Sequence, residues 1–339
     1  MALLYLRLEI IDNERLFSAM GNKLHILIID ELHDSFMESL ERIGVQYRYA
    51  PELTSEAVRS QLPEYTGLVL RSKMKVDSSL ISANPQLKMI ARAGSGMDGI
   101  DLESAHAAGI HLINAPEGNR DAVGEQTTGT LLSLLSNINK GSREVRKGTW
   151  DREGNRGVEL SSLTVGIIGY GNTGSAVAQK LSGFGCRVIA YDKYRSDFGS
   201  EAVEETSYQE LIQRSDAISF HIPLTDETSE WIDDAFIASV NRPFYLLNLS
   251  RGGIMKTEDV LRGLESHKIL GFGADVLENE RFEEYTTEEG RLLTRLLERG
   301  DVIVTPHVGG WTKESYERIS EVLAEKVLKW INESVLLTD

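Results

Sequence analysis

The chain has 339 residues, the length of about two domains, and 41% of them are hydrophobic, enough for packed cores. The 36 Lys and Arg against 52 Asp and Glu give a formal charge of −16, which argues against a nucleic-acid partner or an anionic membrane surface, since both demand basic surface. An anionic metabolite is not excluded, because a few arginines suffice for a local positive pocket.

The opening "MALLYLRLEIIDNERLFSAM" lacks a basic leader and is interrupted by Arg7 and Glu9, so it does not read as a signal peptide. Residues 1–19 are expected to be an extension outside the fold, which starts near Met20. Short apolar runs then alternate with amphipathic stretches. "LHILIID" (24–30), "TGLVLRS" (66–72), "LKMIARA" (87–93) and "IHLINA" (110–115) read as buried strands, with a helical pattern in "ELHDSFMESLERIG" after the first. Continuous apolar strands joined by helices predict a parallel sheet covered on both faces. "DAVGEQTTGTLLSLLSNINK" (121–140) reads as one long helix, either a core helix or a dimer-forming one.

The pattern then restarts. "LTVGIIG" (163–169), "CRVIAYD" (186–192), "DAISFHI" (216–222), "FYLLNLS" (244–250), "ILGFGAD" (269–275) and "DVIVTPH" (301–307) read as six strands, the complement of a dinucleotide-binding fold. Cys186, the single cysteine, precludes an intrachain disulfide, reads as a buried apolar thiol and fits a reducing cytoplasm. A helix, "TKESYERISEVLAEKVLKWINE" (312–333), closes the pattern. No apolar run approaches the ~18 residues of a membrane span.

"VGIIGYGNTGSAVAQKL" carries G-x-G-x-x-G at Gly169, Gly171 and Gly174, behind a strand and ahead of a helix that opens at about Thr173, with Asn172 and Thr173 expected to bind the cofactor beside the glycines. Gly169 permits the tight turn, Gly171 a close approach of backbone to pyrophosphate, and Gly174 close helix–strand packing. The helix N-terminus offers free N–H groups and a positive dipole end to the phosphates. Asp192, ending the next strand, suits the adenosine ribose hydroxyls and disfavours a 2′-phosphate, so NAD is expected over NADP. Lys193 and Arg195 stand beside it and weaken that preference.

Hydride exchange with a carbonyl needs a cation for the substrate's acid group, a proton donor and acceptor, and a group to orient it. Arg251 in "NLSRGG", Asp275 and Glu280 in "GADVLENE", and His307 in "TPHVGG" stand at successive strand ends, where ligands bind in open α/β sheets. Pro306 stiffens the approach to His307, and Gly309–Gly310 are read as the pair that lets the chain turn. No Cys/His cluster has metal-ligand spacing, so no metal is expected.

These motifs, with "RAGSGMDGIDLESA" (92–105), "INAPEGNRDAVGE" (113–125) and "HIPLTDETSEWI" (221–232), resemble the D-isomer-specific 2-hydroxyacid dehydrogenase family over about residues 23–335. The resemblance implies two doubly wound α/β domains, flavodoxin-like and Rossmann-like, with a cleft between them. Residues 20–117 would form a substrate-binding domain and 118–309 an inserted NAD-binding domain, with 310–339 returning to the first. It implies that Arg251 binds the substrate carboxylate and polarises the 2-oxo group, that His307 is the acid/base, and that Glu280 orients His307. Asp275 would support the cofactor side. Leu249, Ser250 and the turn with Gly309 and Gly310 would lie along the nicotinamide, and His221 and Pro223 would flank the cofactor. Ser95 and Gly96 would receive the substrate carboxylate. Arg71, Lys73, Lys75 and Arg92 read either as a phosphate-binding rim for 3-phosphoglycerate or as ordinary surface charges.

A homodimer built through the cofactor domain is implied as well. Because the chain stops at Asp339, the expectation is no regulatory domain beyond it. The leading substrate is D-3-phosphoglycerate, oxidised to 3-phosphohydroxypyruvate. The alternatives are reduction of glyoxylate, hydroxypyruvate or another 2-oxo acid and, in another class, an NAD(H)-sensing module akin to a corepressor. Two departures from the family pattern stand out: Arg281 follows Glu280 where proline is usual, and Trp311 replaces a smaller residue, either narrowing the substrate pocket or packing between domains. The acidic 279–301 stretch either reshapes the rim or is a solvated helix.

Overall fold

A computed structural model of the protein describes residues 24–336. The proposed extension at 1–19 lies outside them. The described residues divide into two compact units, 24–119 with 313–336, and 120–312.

In the first unit, β1 (His25–Ile28), β2 (Gln46–Tyr49), β3 (Gly67–Leu70), β4 (Met89–Arg92) and β5 (His111–Asn114) form a parallel sheet in the order β2-β1-β3-β4-β5. This is the flavodoxin-like order. Side chains alternate between its faces. Ile26, Ile28, Val69, Met89 and Ile113 pack on one side, and Leu27, Leu68, Leu70 and Ile90 on the other. Both faces are covered, which is why these strands are unbroken apolar runs. β2, "QYRY", is an edge strand with one flank exposed, so it lacks such a run and the apolar criterion overlooks it. The helix Lys313–Leu336 belongs to this unit: its Leu323, Val327 and Ile331 pack with Phe36 and Leu40 of the helix Asp34–Arg42.

The second unit has seven parallel strands, one more than the pattern predicts. They are β6 (Thr164–Ile168), β7 (Arg187–Tyr191), β8 (Glu204–Glu205), β9 (Ala217–Phe220), β10 (Phe244–Asn248), β11 (Ile269–Ala274) and β12 (Val302–Val304). Their order, β12-β11-β10-β9-β6-β7-β8, is the Rossmann arrangement with one added strand, and it reverses between β6 and β9. The strand that the apolar pattern overlooks, β8, is two charged residues at the edge, with no hydrophobic signature. Ile168, Ile218, Phe220, Leu246 and Phe272 face one layer of helices, and Val165, Ile167, Val188, Ala190 and Leu247 the other.

Three other expectations change. The long helix is two, Pro116–Leu135 and Ile138–Arg146, broken where Asn137 takes the left-handed conformation at φ 52°. Cys186 precedes β7 rather than lying in it, and its thiol is half-buried; that burial raises its pKa. Finally, β12 stops at Val304, so His307 stands in the turn beyond the strand. Among the described residues no helix is long and apolar enough to cross a membrane.

Candidate active site

The glycine turn begins where β6 ends. Gly169 has φ 93°, and a Cβ there would lie 2.4 Å from the His221 carbonyl oxygen, so any other residue is excluded twice over. At Gly174 a Cβ would come within 2.0 Å of the Gly169 carbonyl oxygen, which is the close helix–strand packing expected of it. Gly171 differs: the space where its Cβ would stand is open. It is the N-cap of the helix Asn172–Leu181 and no side chain caps that helix, so the N–H groups of the first turn, including those of Asn172 and Thr173, face outward for an anion.

Asp192 follows β7 directly. Its Oδ2 accepts the Tyr170 amide at 2.8 Å, and its Oδ1 accepts the Tyr194 and Arg195 amides at 2.9 and 3.1 Å. Three donors leave one of a carboxylate's four acceptor positions for a ribose hydroxyl.

At the switch point between β6 and β9, the His221 Nε2 pairs with Ser219 Oγ at 2.8 Å, while Nδ1 is buried without a partner. Burial pushes this imidazole down to about 3, so it is neutral at pH 7. Pro223 is exposed, with its carbonyl accepting from Thr228 Oγ1. An open glycine cradle, an uncapped helix start, an acceptor at Asp192 and an orphaned buried nitrogen together fit a dinucleotide.

The remaining chemistry lies beyond β10, β11 and β12. Asn248, fully buried at the end of β10, shapes the first turn. Its Oδ1 accepts the Ser250 amide and hydroxyl at 3.1 and 2.8 Å, and its Nδ2 donates to the Arg251 carbonyl at 2.9 Å. Leu249 is a core side chain, so only its backbone remains for a ligand. Gly252 follows because a Cβ there would meet the Leu277 carbonyl oxygen at 1.7 Å, pressing this turn against the loop after β11.

The carboxylates of "GADVLENE" do three different jobs. Asp275, only 2% exposed, accepts from Gln126 Nε2 (3.1 Å), Thr305 Oγ1 (2.5 Å) and the amides of Val308 (3.0 Å) and Gly309 (2.6 Å). Glu278 accepts the Thr257 amide at 2.6 Å, at the start of the helix Thr257–Glu265. Glu280 receives His307: both carboxylate oxygens lie 3.0 Å from Nδ1. A carboxylate only accepts, so Nδ1 carries the proton in that pair and Nε2 is left to exchange one. Both side chains are about half-exposed.

His307 itself is left-handed, at φ 54°, and its amide donates to the Thr305 carbonyl at 3.0 Å. Here the expectation for the glycine pair is corrected. The residue that reverses the chain is the histidine, and neither Gly309 nor Gly310 has positive φ. Gly309 is required for another reason: a Cβ would stand 2.9 Å from Asp275 Oδ2 and obstruct the bond from its own amide. Trp311 is 52% exposed. The helix Thr287–Leu297 opens with a capping box of Thr286 and Glu289 and buries only Leu296.

The predicted substrate residues lie in the first unit. Asn114 Nδ2 donates to the Ser95 carbonyl at 2.6 Å, and Ser95 Oγ to Asn119 Oδ1 at 2.5 Å. Among the described residues, the amides of Ser95 and Gly96 donate to no protein group. Arg71 is half-buried, and the desolvation lowers its pKa. Its amide is held by Asp30 Oδ2 at 2.6 Å, and its carbonyl accepts Arg92 Nε at 3.1 Å. Lys73 Nζ is bonded to the Pro51 and Leu53 carbonyls, which draws it away from the proposed basic rim. Sequence reasoning missed Gln126, Asn248 and Thr305. Asn248 had a signal, a polar residue closing an apolar strand, whereas Gln126 had none. Among the described residues no group of three or more His, Cys, Asp or Glu side chains suits a metal.

The chain belongs to the D-isomer specific 2-hydroxyacid dehydrogenase family, whose NAD binding domain matches residues 128–309. It is 35% identical over 283 residues to a hydroxypyruvate reductase of Thermotoga maritima, covering 82% of this chain and 90% of that one. It is 34% identical over 309 residues to a D-3-phosphoglycerate dehydrogenase of Methanocaldococcus jannaschii, covering 90% of this chain but 57% of that one. The chain thus spans little more than half the length of the D-3-phosphoglycerate dehydrogenases it matches. Among solved structures, a D-lactate dehydrogenase from Aquifex aeolicus complexed with NAD and lactic acid superposes with a TM-score of 0.79 at 28% identity, covering 92% of this chain and 96% of the other.

Proposed function

We propose that the protein is an NAD-dependent oxidoreductase interconverting a D-2-hydroxy acid and its 2-oxo acid. The observation that carries this reading is the Glu280–His307 pair in a turn beyond β12, in the same unit as a glycine turn that excludes a Cβ at Gly169 and Gly174 but leaves Gly171 open. Bound at that turn, NAD would supply the hydride acceptor or donor. The chain's own residues do the rest. Glu280 holds Nδ1–H of His307, and Nε2 gives a proton to the C2 oxygen as the oxo acid is reduced or takes it in the reverse direction. Arg251 binds the carboxylate and polarises the carbonyl. Within the first unit, the unpartnered amides of Ser95 and Gly96 suit a substrate carboxylate, and Arg71 a second anionic group. A pure NAD(H) sensor has no use for an oriented proton donor.

The leading substrate pair is D-3-phosphoglycerate and 3-phosphohydroxypyruvate, the substrate class of several relatives. A second reading, an unphosphorylated acid such as hydroxypyruvate or glyoxylate, is favoured by the engagement of Lys73 with two carbonyls and by the relative matched over most of its own length. NADH oxidation measured against a panel of phosphorylated and plain 2-oxo acids separates the two. Turnover restricted to the plain acids removes the phosphoglycerate reading, and no turnover with any acid removes the enzyme. We further propose a cytoplasmic homodimer, with the helix Ile138–Arg146 at the interface. That helix buries none of its residues, and Ile138, Val145 and the nearby Trp150 are exposed. A monomeric mass by light scattering would refute it.

A further inference from the structure

Two cations, Lys193 and Arg195, flank Asp192 in the loop after β7. Next to an adenosine ribose, such cations are what a 2′-phosphate requires. Taken from the chain alone they make the cofactor choice ambiguous. Both, however, are committed elsewhere. Arg195 donates from NH1 to the Tyr170 carbonyl at 2.6 Å. Lys193 Nζ is bonded to Glu227 Oε1, and the hydroxyl of Tyr194 donates to Glu227 Oε2 at 2.8 Å. Glu227 comes from the loop after β9, across the switch point, and both its oxygens are spent on this one loop.

We propose that Glu227 is a selectivity residue of the cofactor site: it holds Lys193 in an ion pair and so withholds the cation that a 2′-phosphate would need. The inference rests on the reading of the β6–β7 turn as a dinucleotide site, and it adds a second carboxylate to the discrimination expected of Asp192. Asp192 acts directly, by accepting from the ribose and repelling a phosphate. Glu227 acts through the lysine. With Glu227 present, the two cations of the loop are matched by two carboxylates. Without it, Lys193 is free to swing on its four-carbon stem toward an anion. The pair is about half-exposed, so its own strength is small and the effect on selectivity is modest.

The test is calorimetric titration of the full chain with 5′-AMP and with adenosine 2′,5′-bisphosphate, needing no substrate or turnover. The native protein is expected to prefer 5′-AMP. In Glu227→Gln the preference should move about fivefold toward the bisphosphate, the worth of one freed charge near a phosphate in a water-like medium. Adding Lys193→Ala to that variant should abolish the shift. An unchanged preference in Glu227→Gln overturns the proposal. So does a shift that survives Lys193→Ala, because the general loss of a negative charge would then explain it. If the native chain binds neither nucleotide, the dinucleotide reading itself falls and this inference with it, an outcome distinct from the other two.

Discussion

Two turns at the carboxyl ends of parallel strands solve the same geometrical problem in opposite ways. After β6 the chain reverses at Gly169, φ 93°; after β12 it reverses at His307, φ 54°. The first turn has to bring backbone close to other backbone, so any side chain would collide. The second has to deliver a side chain, so a residue with a Cβ is held in a region that costs it about 1 kcal/mol or more. The surroundings enforce that conformation. Pro306 restricts the approach, Asp275 gathers the Val308 and Gly309 amides with Thr305 Oγ1, and Glu280 takes the ring. Where function lies in the main chain, glycine is the answer; where it lies in a side chain, strain supported by a buried carboxylate is.

The largest effect should come from removing what the strained turn delivers. His307→Ala is expected to lower kcat by about 10²–10⁴-fold while leaving NADH binding intact, as stopped-flow turnover and fluorescence titration would record. Full turnover in that variant would dismiss the assigned acid/base. Next in size, Gly169→Ala should destabilise the second unit by about 3 kcal/mol or more in urea unfolding, because positive φ and a 2.4 Å approach to a carbonyl add together. Asp275→Asn keeps the volume but gives up one acceptor oxygen, leaving a buried donor unmet. A loss of about 2 kcal/mol is expected, together with a fall in kcat as the His307 turn loosens.

The pH dependence carries a comparable effect. The His221 ring titrates at about 3 in the fold and near 6.5 when unfolded. Between those values the unfolded chain binds the extra proton, so stability declines as pH falls through that window. Relative to pH 7 the loss at pH 5 is about 2 kcal/mol. Denaturation curves of His221→Asn at the two pH values should lack that increment, and an identical slope in both proteins would show that the ring is not buried neutral. The smallest effect sharpens the comparison most directly. His307→Gly should be about 1 kcal/mol more stable than His307→Ala, because only the glycine enters the left-handed region freely. Equal stabilities would mean that the turn relaxes once the imidazole is gone.

Much of this site was legible before any coordinates. The glycine spacing, an acidic residue at the end of the next strand, and an arginine, a carboxylate and a histidine at successive strand ends are local patterns, and the strands carrying them are doubly buried and hence plainly apolar. What escaped notice was carried by elements without that signature. The edge strands β2 and β8 are polar because one flank meets solvent. Gln126 lies in a helix and meets Asp275 from 149 residues away. Nor did spacing distinguish the carboxylates of "GADVLENE", because which of them meets the turn of β12, the start of a helix or an imidazole depends on where three separate loops converge.

The residues alone therefore determined the class of fold and the glycine turn, since each follows from short-range periodicity or from backbone freedom that only glycine has, and they nominated Arg251, Glu280 and His307 as candidates for catalysis by their places at strand ends. Tertiary structure decided that His307 rather than a glycine turns the chain, that Asp275 is buried and gathers Gln126, Thr305 and the Val308 and Gly309 amides, and that Lys193 is already taken. Those are contacts between segments far apart in the chain, and only packing brings them within hydrogen-bonding distance.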